Sequence, residues 1–297
     1  MDSSELISIV ALVGAIAALC YASILDVRTR RVPNKYWIFL SLLGLILIPL
    51  RIVADEEGLE YALILVPIGA ILLDVYHEVE SNSALAKLLP VVKYGVAVIA
   101  TIALGFMWID NGYFQPLLAV PVLMLVFVLM YMVDLIKGGA DAKALIALAV
   151  LFPTVPSIGE LPIIAPHDSI ANVLFPFALG VLTDAAFLVI FLPVLFLVRN
   201  IAARDVKFPQ MFLGYRIDST VDQPGFVWLM ETVEDGRHRL YTRPRSGEDI
   251  ALELSRLRDH GISRVWVTPK IPFIVPILGG LILAAVAGNI LFLLIGL

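Results

Sequence analysis

The sequence predicts a polytopic α-helical membrane protein with about eight transmembrane helices, its N-terminus outside, and a small cytoplasmic α+β domain before the last helix. Three observations predict this. Of 297 residues, 60% are hydrophobic and only 16% charged, with a mean hydropathy of +0.94, more apolar than an ordinary soluble enzyme. Apolar runs near the roughly 20 residues needed to cross hydrocarbon recur along most of the chain. The basic residues fall in alternate connecting segments, as loops on one side of a membrane should.

The runs cover residues 6–25, 36–53, 61–76, 90–109, 116–137, 141–153, 171–198 and 271–297. The first follows Asp2 and Glu5 and lacks the basic start and small-residue cleavage site of a signal peptide, so it reads as a permanent span. The third is near the lower length limit. The sixth, Asp141 to Pro153, is short enough to dip or tilt rather than cross simply. Pro49, Pro67, Pro121, Pro176 and Pro193 are expected kinks that neighbouring helices accommodate.

With the N-terminus outside, the first inner loop holds Arg28, Arg30, Arg31 and Lys35, the second Lys87 and Lys93, and the third Lys137 and Lys143. Adding segment 199–270 puts 20 of the 21 basic residues on one side, leaving only Arg51 at an outer boundary. Asp55, Glu56, Glu57, Glu60, Asp110, Glu160 and Asp168 fall outside. This alternation depends on the parity of the spans more than on any boundary.

Segment 199–270 is the one sizeable polar stretch. Phe226 to Val233 and Arg237 to Thr242 read as strands joined at Glu234-Asp235-Gly236, Glu248 to His260 as a helix, and Arg264 to Thr268 as another strand. The expected organisation is a bundle over residues 1–198, an α+β domain over 199–270, and a C-terminal span over 271–297. Cys20 is the single cysteine, and His77, His167, His238 and His260 are far apart. No metal or other cofactor is therefore expected. A net charge of -5, with no basic-aromatic cluster, argues against a nucleic-acid partner.

Chemistry is sought among the acids in or beside spans, because an ionisable side chain in hydrocarbon costs at least a few kcal/mol and is usually functional or paired. These are Asp26, Asp74, Asp134, Asp141 and Asp184. Asp26 ends the first span just before the basic cluster, and Asp141 begins the sixth just after Lys137-Gly138-Gly139. Sorting by charge therefore places both at one depth. Two carboxylates close together resist simultaneous ionisation, so one serves as base toward water and the other as acid toward a carbonyl. Gly138 and Gly139 remove side-chain bulk beside Asp141 and permit a backbone to approach. The plain alternative is that Asp26 pairs with Arg30 at i+4 and Asp141 caps a helix start. Asp134 precedes Asp141 by seven residues, would share its face on a continuous helix, and is a candidate supporting acid. Asp74, Glu78 and Glu80 form an acidic inner loop, read as solvated.

Tyr21-Ala22-Ser23-Ile24-Leu25-Asp26, followed by Arg31-Val32-Pro33-Asn34-Lys35, resembles the first-aspartate segment of type IV prepilin peptidases, especially their archaeal preflagellin (prearchaellin) branch. Lys137-Gly138-Gly139-Ala140-Asp141-Ala142-Lys143 resembles that family's second-aspartate G-x-G-D region, with Ala140 at the third position. Trp266-Val267-Thr268-Pro269-Lys270-Ile271-Pro272-Phe273 resembles the entry to the last span of archaeal members. The resemblance implies an aspartic endopeptidase in the cell membrane, with its active site facing the cytoplasm. It would cleave the basic leader from pilin-like or archaellin precursors, with Asp26 and Asp141 catalytic and Gly138 and Gly139 supporting. Its partners would be those precursors and the lipid bilayer. Compared with compact members, a helix pair is inserted between the aspartates, and the cysteine-rich domain of bifunctional bacterial members has no counterpart.

Two other functions compete. A presenilin-like intramembrane protease also uses two aspartates and G-x-G-D, but its Pro-Ala-Leu motif does not occur in this sequence. An ion-coupled transporter would use Asp134 and Asp184, the latter in the middle of the seventh span. A non-catalytic role leaves the return of two acids to one depth without a reason.

Overall fold

The computed structural model describes residues 2–76, 84–164, 173–221, 225–234, 236–242 and 249–295, with backbone alone for 84–87 and 293–295. It divides into two compact units, Met1–Ala186 with Pro272–Leu297, and Phe187–Ile271.

The first unit opens with α1, Ser3–Thr29, whose buried face carries Ser8, Ala11, Ala15, Ala18, Leu19, Ala22 and Ser23. Recurrence of small residues every three or four positions lets other helices approach closely. Here α1 packs on α2, Lys35–Ala54. It ends where Arg30 turns left-handed at φ 55° while its N–H still bonds the Asp26 carbonyl. Beyond α2, the 3-10 turn Leu59–Ile64 runs into α3, Leu65–Tyr76. There follow α4, Ala84–Trp108, and α5, Phe114–Met132.

Helix α6, Gly139–Leu151, is the centre of this unit. Ala142 and every residue from Ala144 to Leu151 are buried. A helix apolar on all sides is stable when other helices surround it, and α6 packs on α2 and α5. At Gly44 of α2, an added Cβ would lie 2.9 Å from both the Leu151 nitrogen and the Val150 carbonyl carbon. Only glycine permits that backbone contact.

Among the described residues, six helical segments are long and apolar enough to cross a membrane: Ser3–Thr29, Lys35–Ala54, Leu59–Tyr76, Leu88–Trp108, Phe114–Met132 and Phe177–Ala202. The expected sixth span is α6, whose 13 residues rise only about 20 Å against a core of about 30 Å. The expected last span is divided into Ile274–Val286 and Ile290–Ile295, because Gly288 adopts φ 91° between them. The seventh run is also two helices, α7, Phe177–Ile190, and α8, Leu192–Ala202, with a proline in the first turn of α8. After α8 come the short α9, Gln210–Leu213, α10, Ile250–Asp259, and the two terminal helices just given, α11 and α12.

In the second unit, β1 (Tyr215–Asp218), β5 (Arg264–Pro269) and β2 (Val227–Leu229) form an antiparallel sheet in that spatial order. Tyr215 faces Val267, and Val227 faces Pro269. The expected strand Phe226 to Val233 is divided at Met230. Its second half, β3 (Glu231–Glu234), pairs instead with β4 (Arg237–Leu240), Val233 opposite His238. Asp235 of the expected hairpin turn lies outside the described residues. Val227, Leu229, Leu254, Leu257, Val265 and Val267 make the core between sheet and α10. Asp249 caps α10 by accepting the Ala251 N–H at 3.0 Å. Asp205 holds Arg264 through paired bonds of 2.8 and 2.7 Å.

Candidate active site

Asp26 lies in the last turn of α1, half-buried, one turn before the left-handed Arg30. The backbone N–H of Ile274 is directed at its carboxylate. Ile274 is the first residue of α11, so Asp26 meets the positive end of that helix. The packing of α1 on α11 supplies the approach.

Asp141 lies in the first turn of α6, behind Gly138 as the capping residue. A Cβ at position 138 would fall 2.1 Å from Asp141 Oδ2, so the carboxylate folds back over a backbone that glycine leaves bare. Gly139 makes a looser contact, its virtual Cβ 3.4 Å from the Tyr131 hydroxyl. Lys143, two residues after Asp141, reaches back through Nζ to Asn34 Oδ1 at 3.0 Å. Asn34 belongs to the short loop between Asp26 and α2.

Asp26 acts electrostatically on Asp141, and the Arg30 guanidinium acts on both carboxylates. Two acids and one cation at the meeting of three helix ends form a group that can share a proton and polarise water. Among the described residues, no three His, Cys, Asp or Glu side chains gather as metal ligands.

The other acids are elsewhere. Asp134 is exposed in the turn after α5, with φ 59°. The helix is interrupted there, so the shared-face expectation for Asp134 and Asp141 does not apply, and Asp134 is not among the groups acting on Asp141. Asp184 is fully buried and accepts the Ile290 N–H at 3.1 Å, the interhelical hydrogen bond expected of a structural acid. Asp74 pairs with Lys93 at 3.6 Å. Glu78 and Glu80 lie outside the described residues, as do His77 and His167. Arg30, Asn34 and Ile274 were not read from sequence as joining the two acids. The sequence offers Arg30 only as an i+4 partner of Asp26.

Fold and site together define a multi-pass helical membrane protein with a carboxylate pair at one end of its bundle. Residues 13–89, which include Asp26, match the Type IV leader peptidase family. Residues 206–290, which include Trp266 to Phe273, match the family described as Archaeal Peptidase A24 C-terminus Type II. A preflagellin peptidase of Methanocaldococcus jannaschii is 30% identical over 167 residues, covering 51% of this chain and 63% of that protein. The match therefore spans less than two thirds of the relative's length. Over these residues the chain is similar to the type IV leader peptidases, as its motifs imply. Asp141 falls in neither family match.

Proposed function

We propose that this protein is a membrane-embedded aspartic endopeptidase that removes the basic leader from type IV pilin-like or archaellin precursors at the cytoplasmic face. The observation that carries the reading is the convergence of the last turn of α1, the first turn of α6 and the start of α11, which brings Asp26 within electrostatic reach of Asp141, 115 residues away in sequence, and Arg30 within reach of both.

In this reading, one carboxylate takes a proton from water as its oxygen attacks the scissile carbonyl carbon. The other carboxyl group donates its proton to the carbonyl oxygen. The tetrahedral intermediate then expels the amine, which takes up a proton as the C–N bond breaks. The Ile274 N–H orients Asp26, Gly138 gives Asp141 room, and Gly139 leaves space for the substrate backbone. Asp134 receives no role because it lies exposed on a separate turn.

Charge sorting supports the orientation, with the N-terminus outside and Arg28, Arg30, Arg31 and Lys35 in the cytoplasm. A basic leader held on that side brings its junction with a hydrophobic segment to the depth of both acids. Asp26→Asn and Asp141→Asn, each assayed in membranes with a prepilin-like or prearchaellin precursor, should abolish cleavage while membrane insertion persists. Normal processing by either variant overturns the assignment.

A further inference from the structure

At the other end of the bundle, the start of α1, the end of α2, the start of α5 and the segment after α6 enclose a cavity of about 300 Å³. That is room for roughly ten waters at about 30 Å³ each. Its floor includes Ser8, only 3% exposed, with Leu117 and Pro153 as apolar wall. Arg51 projects into it from α2, donating through one terminal nitrogen to the Ser8 hydroxyl at 3.2 Å and through the other to the Thr154 hydroxyl.

The charges in this cavity are satisfied unequally. Asp55 accepts from Ser4 on one oxygen and from Tyr113 on the other, the latter at 3.0 Å. Arg51 hydrogen-bonds neutral hydroxyls instead; Asp55 acts on it electrostatically, but among the described residues no carboxylate is within ion-pair distance of it. A guanidinium in a partly desolvated site favours an anion, and its remaining N–H donors form a planar fork suited to phosphate oxygens. Thr154 accepts from Arg51 and keeps its own hydroxyl proton to donate beside that fork.

We infer that this cavity binds a phosphate group, with Arg51 as its charged clamp and Thr154 as an added donor. Ser8 and Asp26 lie 18 positions apart on α1, hence about 27 Å along its axis, close to the thickness of a hydrocarbon core. The cavity thus sits where headgroups of the opposite leaflet lie, and the phosphodiester of a lipid or a free phosphate ion shares the required chemistry. This site is separate from Asp26 and Asp141 and does not depend on the activity assigned to them.

The full-length protein in a phosphate-free maltoside detergent tests the inference by thermal unfolding. One arm titrates sodium phosphate against sodium chloride at matched ionic strength, and the other titrates short-chain phosphatidylglycerol against the corresponding diacylglycerol. A saturable rise in Tm is expected in at least one arm. A response to phosphatidylglycerol alone assigns the phosphate to a lipid, and a response to both assigns the site to phosphate in either form. Arg51→Gln should abolish the rise, and Thr154→Val, which keeps the guanidinium, should move its midpoint to about tenfold higher concentration, the loss of about 1.4 kcal/mol. No rise in either arm overturns the inference and leaves Arg51 as a tie between helices. So does a Thr154→Val protein that responds like the wild type, a result that stands even if Arg51→Gln does not fold.

Discussion

Lys143 donates a 3.0 Å hydrogen bond to the side-chain carbonyl of Asn34 across 109 residues of sequence. One partner sits one turn's reach from Asp141 on α6, the other in the loop that follows Asp26. The bond therefore ties the loop that follows Asp26 to the helix that carries Asp141. A hydrogen bond to a charged donor contributes about 1.5–3 kcal/mol, and misplacing a catalytic group by about 1 Å can cost about 100-fold. Asn34→Ala should lower kcat for precursor cleavage by about 10- to 100-fold with a smaller change in KM. Steady-state cleavage in detergent checks this, and an unchanged kcat removes the tie from the catalytic account.

Gly138 offers a sharper probe of Asp141. Its added Cβ would meet a carboxylate, the mobile end of a side chain, rather than backbone. Gly138→Ala should therefore leave helicity and membrane insertion intact while turning the carboxylate away from Asp26. Cleavage should fall by about 100-fold or more, measured beside far-ultraviolet circular dichroism of the same preparation.

Asp184 separates a structural acid from a transport site. Asparagine retains an oxygen to accept the Ile290 N–H, whereas alanine leaves that donor without its partner. Asp184→Ala should destabilise the protein by about 1–3 kcal/mol, seen as a lower Tm, and Asp184→Asn by less. Both should still cleave precursor once folded. Abolished cleavage in a stably folded Asp184→Asn would contradict this.

Outside the membrane spans, Asp218 has a pH signature. The Thr220 N–H first, and then the Thr220 hydroxyl, hold its carboxyl below the usual carboxylate range. Because the folded-state value is depressed, its contribution to stability is present above the unfolded value of about 3.9 and is lost as pH falls through the folded one. Thr220→Val retains the N–H and removes the hydroxyl, so Asp218 should titrate closer to its ordinary range. Carboxyl-carbon NMR of the labelled full chain measures that shift.

Much of this arrangement is legible in sequence because scarce charges in an apolar chain carry unusual information. Arg28, Arg30 and Arg31 after Asp26, and Lys137 before Asp141, point to one depth for both acids without any coordinates. The central position of α6 was not legible, since a 13-residue apolar run looks alike whether lipid or protein surrounds it. The break at Gly288 depends on a left-handed backbone that its apolar flanks conceal. Strand β1 went unread although Tyr215 and Ile217 alternate with polar neighbours, because four residues give a weak period. Ile274 was beyond sequence reasoning altogether, as its contribution to the site is a main-chain N–H.

The Gly44 contact has a mechanical consequence. With Gly44 of α2 seated against the backbone of Val150 and Leu151 and against the Val150 side chain, the contact leaves no room for a larger residue to slide or repack, so α2 and α6 should move together. Asp26 is carried by α1, which packs on α11 as well as on α2 and is joined to α2 by the loop containing Asn34. Any breathing of the acid pair is then a hinge at the loop containing Asn34. Spin labels on α2 and α6 should keep one sharp separation with and without a bound precursor, while a pair on α1 and α6 should broaden or shift.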